Sequence, residues 1–162
     1  KEILTNSKIK TVLEIGCGIG RITQFLSFNF KKVFAIDISE KMVEAGRERL
    51  KDLTNIEFIS NNGVQYPSIN DSTIDFVFSY IVFQHMPNKK IVIENLREIK
   101  RVLTPKGMAK IQLRGLPTSK LNWFYGPSFS KNEIAKILDS LGLKLIKTEG
   151  ENQRYFWIWF SK

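Results

Sequence analysis

The chain alternates short apolar runs with longer stretches in which apolar residues recur every three or four positions. The short runs lie at 11–15, 33–36, 56–59, 74–80, 108–113, 143–148 and 155–160. They are rich in Val, Ile and aromatic residues, and the run Val33-Phe34-Ala35-Ile36 is apolar at every position, as a strand covered on both faces must be. Helical spacing predicts a first helix over about 20–29, with Ile22, Phe25 and Leu26 on one face. A second runs from Glu40 to about Lys51, capped by Ser39. Asn88 caps a long amphipathic third helix whose apolar face holds Ile91, Ile93, Leu96, Ile99, Val102 and Leu103. Ser130-x-x-Glu133 is a capping box before a fourth helix that carries Ile134, Ile137, Leu138 and Leu141, and Gly142 ends it. Thr104-Pro105-Lys106-Gly107 reads as a turn. Residues 1–10 read as a polar lead-in, 65–73 as a polar loop and 115–129 as an irregular aromatic segment. Gly150-Glu151-Asn152 separates the last two strands into an antiparallel hairpin. The alternation predicts an α/β fold, a doubly wound and mostly parallel sheet of seven strands, in a single domain over 1–162.

Composition narrows the class little. At 162 residues, 43% hydrophobic and 25% charged, the chain matches an ordinary globular domain. No apolar run approaches a membrane span and no leader pattern stands at the start, so no membrane partner is expected. One cysteine, Cys17, fits a reducing cytoplasm. The formal charge of +9 is the feature that raises nucleic acid as a partner. Of the 25 basic residues 18 are lysines, scattered along the chain, so a solvated surface is the favoured reading.

The chemistry concentrates in Val12-Leu13-Glu14-Ile15-Gly16-Cys17-Gly18-Ile19-Gly20-Arg21. A strand end, a glycine turn and a helix start form the ligand-binding edge of a doubly wound sheet, where glycines let backbone approach a ligand. A dinucleotide fingerprint has G-x-G-x-x-G. Here the third glycine comes one residue early and Arg21 stands in its place, which disfavours a nicotinamide cofactor. Asp37 follows Gly20 by 17 residues, at the end of the second strand, where a carboxylate accepts both hydroxyls of a ribose.

Glu14-x-Gly16-x-Gly18-x-Gly20 resembles motif I of the class I methyltransferases. Asp37-Ile38-Ser39-Glu40-Lys41-Met42 and the run from Ile74 to Pro87 resemble the corresponding segments of the same family, and the resemblance extends from Val12 to Lys162. It implies a Rossmann-like fold and S-adenosyl-L-methionine as cofactor. Under it, Glu14, Gly16, Cys17, Gly18, Gly20, Asp37, Ile38, Met42, Asn62, Gly63, Val64 and Ser79 are the expected cofactor residues. Glu14 would lie near the ammonium end and Ile38 beside the adenine. At Asn62 the family usually has an acid for the adenine amine; an amide oxygen can accept the same bond, or Asn61-Asn62-Gly63 is simply a polar turn.

Residues 79–86 are expected to line the acceptor side. His85 is the lone histidine and offers either a general base or a packing residue of that loop. Tyr80, His85, Arg114 and Tyr125 are the candidate substrate contacts, Arg114 for a carboxylate or phosphate. Trp123, Phe124 and Tyr125 read either as a substrate cover or as a satellite core. No metal-ligand cluster, no covalent cysteine and no N/D-P-P-Y/F/W stretch is visible. Methyl transfer to O or N of a small-molecule acceptor is therefore the expected reaction. The alternatives are a nucleic-acid- or protein-modifying methyltransferase and a non-catalytic cofactor-binding partner subunit. The family usually carries lid helices before motif I; with about ten residues there, either the chain is a fragment or another subunit closes the site. Oligomeric state is not legible.

Overall fold

The computed structural model describes residues 10–117 and 126–162. In chain order the elements are β1 Thr11–Ile15, α1 Thr23–Asn29, β2 Lys32–Asp37, α2 Glu40–Arg49, β3 Ile56–Ser60, β4 Ile74–Ser79, α3 Lys89–Val102, β5 Leu103–Leu113, α4 Lys131–Ser140, β6 Lys144–Glu149 and β7 Phe156–Ser161. Among the described residues the seven strands form one sheet in the order β3-β2-β1-β4-β5-β7-β6. The pairs from β3 to β5 are parallel, and β7 runs antiparallel to both β5 and β6.

Alternation along the strands divides the core. Leu13, Val77, Ile111 and Ile158 face one side, where α3 and α4 cover them with Val92, Leu96, Ile99, Ile134 and Leu138. Val12, Val33, Ala35, Phe58 and Phe76 face the other, against Leu26 of α1 and Val43 of α2. Helices on both faces explain why the central strands read as continuous apolar runs. The order reverses between β1 and β4, since β2 and β3 lie on one side of β1 and β4 on the other. A doubly wound sheet opens its ligand crevice at the carboxyl ends of strands at that point.

Three helix caps are as the sequence predicts. Ser39 Oγ accepts from Met42 N at 3.4 Å, Asn88 Oδ1 from Ile91 N at 3.1 Å and Ser130 Oγ from Glu133 N at 3.2 Å. Three expectations need correction. α1 starts at Thr23 rather than near residue 20, and it buries Thr23 and Ser27 while Phe25 and Phe28 are 65% and 52% exposed. The polar pair wins because Thr23 meets a buried carboxylate and Ser27 bonds its own helix at Gln24 O, 2.7 Å. α3 buries Val92 and Asn95, whereas Ile93 is only partly covered. Residues 104–107 are not a turn between elements: β5 pairs at Leu103 with Ile74, bulges, and resumes at Met108 beside Phe76. Gly107 is required there, since a Cβ would meet the carbonyl oxygens of Ile74 and Thr104 at 3.0 Å.

Candidate active site

The glycine turn leaves β1 and folds back over the end of β2. Gly16 N and Cys17 N both donate to Ile36 O, at 2.8 and 3.0 Å. Gly16 has φ 75°, and a Cβ on it would stand 2.1 Å from Val82 Cγ2. Only glycine fits this contact, which brings the turn against the segment that follows β4. Asp37 at the end of β2 locks the arrangement: Oδ2 accepts from Gly18 N at 2.8 Å and Oδ1 from Ser39 N at 2.9 Å. Each carboxylate oxygen keeps a further lone pair.

Beneath the turn, Glu14 is 3% exposed and accepts from the Thr23 hydroxyl at 2.5 Å. Burial raises its pKa to about 7, against the pull of the Thr23 bond and with a smaller push from Asp37. The Cys17 thiol is also buried, and desolvation followed by repulsion from Glu14 and Asp37 pushes its pKa well above the usual range. A thiol held protonated is a poor nucleophile.

Next to the turn lies a cavity of about 470 Å³, whose walls include Gly16, Gly18, Asp37 and Ile38 on one side and Ile81, Val82 and His85 on the other. Its size lies in the range of small-molecule sites, roughly 300–1,000 Å³. Its floor is the corner after β3. There Asn62 Oδ1 accepts from Val64 N at 3.0 Å and Gln65 N at 2.8 Å, and Gly63 N donates to Asn61 Oδ1 at 3.1 Å. α3 supports this corner from below, with Asn95 Nδ2 on Gly63 O at 2.9 Å and the buried Tyr66 hydroxyl on Asn95 Oδ1 at 2.6 Å. Arg101 clamps the loop that follows, bonding Tyr66 O, Ile69 O, Asp71 and Glu98.

The segment after β4 enters a short 3-10 turn at Phe83–His85. Ile81 precedes it at φ 58°, left-handed and costly for a β-branched residue. His85 is exposed on the cavity wall. Gln84 and Gln112 behind it are buried at 2% and 0% exposure.

The structure thus gathers Gly16, Gly18, Asp37, Ile38, Asn62, Gly63, Val64 and His85 around one cavity. Other expected residues stand elsewhere. Glu14 and the Cys17 side chain lie under the turn, and Gly20 closes it with its N–H on Cys17 O at 2.9 Å; a Cβ at Gly20 would meet Leu50 at 2.8 Å. Ser79 is buried and bonds Ile15 O at 2.9 Å, tying β4 to β1. Met42 is half-exposed on α2, away from the cavity wall. Asn62 serves the polar turn, because both lone pairs of its oxygen are taken by backbone N–H groups. Gly63 N and Val64 N are likewise taken by asparagine side chains. Arg114 is 8% exposed with Nε on Leu116 O at 3.0 Å, buried in the loop after β5 instead of lining the cavity. Tyr80 stacks on Trp157 with centroids 5.4 Å apart and planes 8° from parallel. Trp123, Phe124 and Tyr125 lie outside the described residues. Sequence reasoning missed Asn95 and Gln112, and it held Val82 and Gln84 only as members of the 79–86 segment and Asn61 only as part of a polar turn. A buried-face asparagine in α3 was the one visible signal, because polar residues inside an apolar stripe need a partner.

Among the described residues no cluster of His, Cys, Asp or Glu is placed to hold a metal ion. No described helix is long and apolar enough to cross a membrane.

A family model described as methyltransferase domain matches residues 12–107, from β1 through the bulge of β5. A demethylmenaquinone methyltransferase of Staphylococcus saprophyticus is 27% identical over 125 residues, which cover 74% of this chain and 52% of that protein. An uncharacterized RNA methyltransferase of Clostridium tetani is 27% identical over 139 residues, covering 72% of this chain and 29% of the relative. The chain therefore spans about half or less of the length of these two relatives. The crystal structure of a SAM-dependent methyltransferase from Aquifex aeolicus superimposes with a TM-score of 0.74 at 25% identity, over 98% of this chain and 85% of that one.

Proposed function

The chain belongs to the methyltransferase domain family, of the class I kind that uses S-adenosylmethionine, and on that premise we propose that it transfers a methyl group to O or N of a small-molecule acceptor bound in the cavity beside Gly16 and Asp37. The observation that carries this reading is the joining of the two walls. The glycine turn and Asp37 form one side, His85 the other, and Gly16 and Val82 bring them into contact.

The residues present fit the cofactor. Asp37 has a free lone pair on each oxygen for the ribose hydroxyls, and Ile38, 70% exposed at the cavity wall, offers an apolar flank for the adenine ring. Gly63 leaves space against Ile38, since a Cβ there would crowd Ile38 Cδ1 at 3.1 Å. When bound, S-adenosylmethionine supplies an electrophilic methyl on a sulfonium, so the protein contributes chiefly orientation and a dry site. Ile81, Val82 and Met86 give the acceptor side apolar walls that exclude water, and His85 is placed to touch the acceptor. Glu14, 3% exposed, holds Thr23 and the start of α1 beneath the turn.

The named activity of the Staphylococcus relative, on demethylmenaquinone, supports a small acceptor. A second reading, an RNA acceptor, draws on the Clostridium relative and the charge of +9. Calorimetric titration with S-adenosylmethionine, S-adenosylhomocysteine and NAD tests the cofactor. Micromolar binding of the first two without NAD is expected, and NAD binding alone would sink the reading. A screen of small phenols, amines and RNA oligonucleotides for methyl incorporation then separates the acceptors. An RNA acceptor would show binding that falls steeply with salt.

A further inference from the structure

Behind His85 lies a chain of hydrogen bonds whose direction is fixed at its far end. Ile81 N, held in its left-handed conformation, donates to Gln112 Oε1 at 3.0 Å. A backbone N–H only donates, so this end of Gln112 is its oxygen. The other end agrees, because Gln112 Nε2 donates to the carbonyl of Leu113, which only accepts. The same Nε2 lies 3.1 Å from Gln84 Oε1 and so turns the Gln84 oxygen toward itself. Gln84 Nε2 then lies 3.0 Å from His85 Nε2. An amide NH₂ has no lone pair to accept with, so His85 Nε2 is the acceptor. The single hydrogen of the neutral ring must sit on Nδ1.

We propose that Gln112 and Gln84 are positioning residues that hold His85 as its neutral Nδ1–H tautomer, making it a hydrogen-bond donor to the acceptor rather than its base. A proton arriving at Nε2 would set Nε2–H against Gln84 N–H, two donors with nothing to accept, while Nδ1 already carries its hydrogen. The inference rests on the methyl-transfer reading and narrows its acceptor. The group methylated must reach the cleft with its lone pair already free, as a phenolate, an enolate or an unprotonated amine. An oxygen or nitrogen of that molecule receives the Nδ1–H bond. Buried glutamines suit the task because they pass on orientation without bringing a charge into the core.

The test uses the fact that His85 is the one histidine of the sequence. Protein labelled with ¹⁵N-histidine and purified without a histidine tag gives one imidazole pair in a long-range ¹H–¹⁵N spectrum. At alkaline pH the expected spectrum shows Nδ1 protonated and Nε2 bare, the reverse of what a solvated imidazole prefers. Nε2–H as the main neutral form would overturn the proposal. Gln84→Glu replaces the donating amide with a carboxylate that only accepts, and the hydrogen should move to Nε2; an unchanged tautomer would show that Gln84 does not set it. Should that variant not fold, the wild-type spectrum decides alone. Titration of the same sample with S-adenosylhomocysteine keeps the two readings apart. No binding with the Nδ1–H form intact would count against the cofactor and leave the relay supported.

Discussion

The two walls of the cleft are built by different means. The wall from β1 and β2 is a matter of backbone. Positive φ at Gly16, amides converging on Ile36 O, and a carboxylate closing over Gly18 N fix its shape. The wall after β4 is a matter of side chains from distant parts of the chain. Ile81 is strained, Gln112 arrives from β5, and His85 is held at the end of an amide relay. Backbone geometry leaves a mark in the local sequence, as glycines at fixed spacing and an acid at a strand end. A relay across strands leaves none, because it depends on register between residues about 30 positions apart.

The sharpest way to break this division is at the point where the walls touch. Gly16→Ala places a methyl against Val82 in a left-handed residue and should cost about 2–5 kcal/mol of stability, from backbone conformation and overpacking together. Adding Val82→Ala should recover the overpacking part, and strictly additive losses in urea denaturation would show that the walls do not press on each other.

Next comes the charge under the first wall. The ordinary glutamate value is 4.5, and burial raises Glu14 to about 7 in the folded chain. The folded state therefore holds the extra proton between those values. Its stability is greatest on the acid side and declines as pH climbs from 4.5 to about 7, by up to about 3 kcal/mol. Glu14→Gln should flatten that decline; denaturation midpoints of wild type and variant that run parallel from about pH 5 to about pH 8 would contradict it.

Asp37→Ala should weaken S-adenosylhomocysteine binding more than tenfold, roughly 1.4 kcal/mol or more, because it would remove the proposed ribose contacts and also release Gly18 N. Unchanged affinity in calorimetry would refute the ribose assignment. The smallest effect on the first wall is expected from the second: His85→Ala should lower turnover yet leave cofactor affinity within about twofold, as sites with no shared partner add independently. A collapse of that affinity would erase the distinction between the walls.

Much of the fold was legible because its signals are local. Both-face apolar runs marked the parallel strands, and Ser39, Asn88 and Ser130 announced their helices. The glycine turn and Asp37 were legible for the same reason. What failed were particular inferences about where a side chain ends up. Apolar spacing put Phe25 on the inner face of α1, but the buried carboxylate of Glu14 draws Thr23 inward instead. Arg114 follows the strand end into the protein to reach Leu116 O. Asn62 satisfies the backbone of its own turn before any ligand arrives. The bulge at Gly107 looked like a turn because proline and glycine punctuate both.

The bonds that shape the glycine turn are all made within the protein: Gly16 N and Cys17 N on Ile36 O, Gly18 N on Asp37. Encounter with a nucleoside ligand then requires no slow ordering of this loop, and little conformational freedom is surrendered when the complex forms. The observed association rate should rise in proportion to ligand concentration, without the plateau that a preceding rearrangement imposes. Ligands that differ in their grip on this wall should arrive at similar speeds and differ in how long they stay.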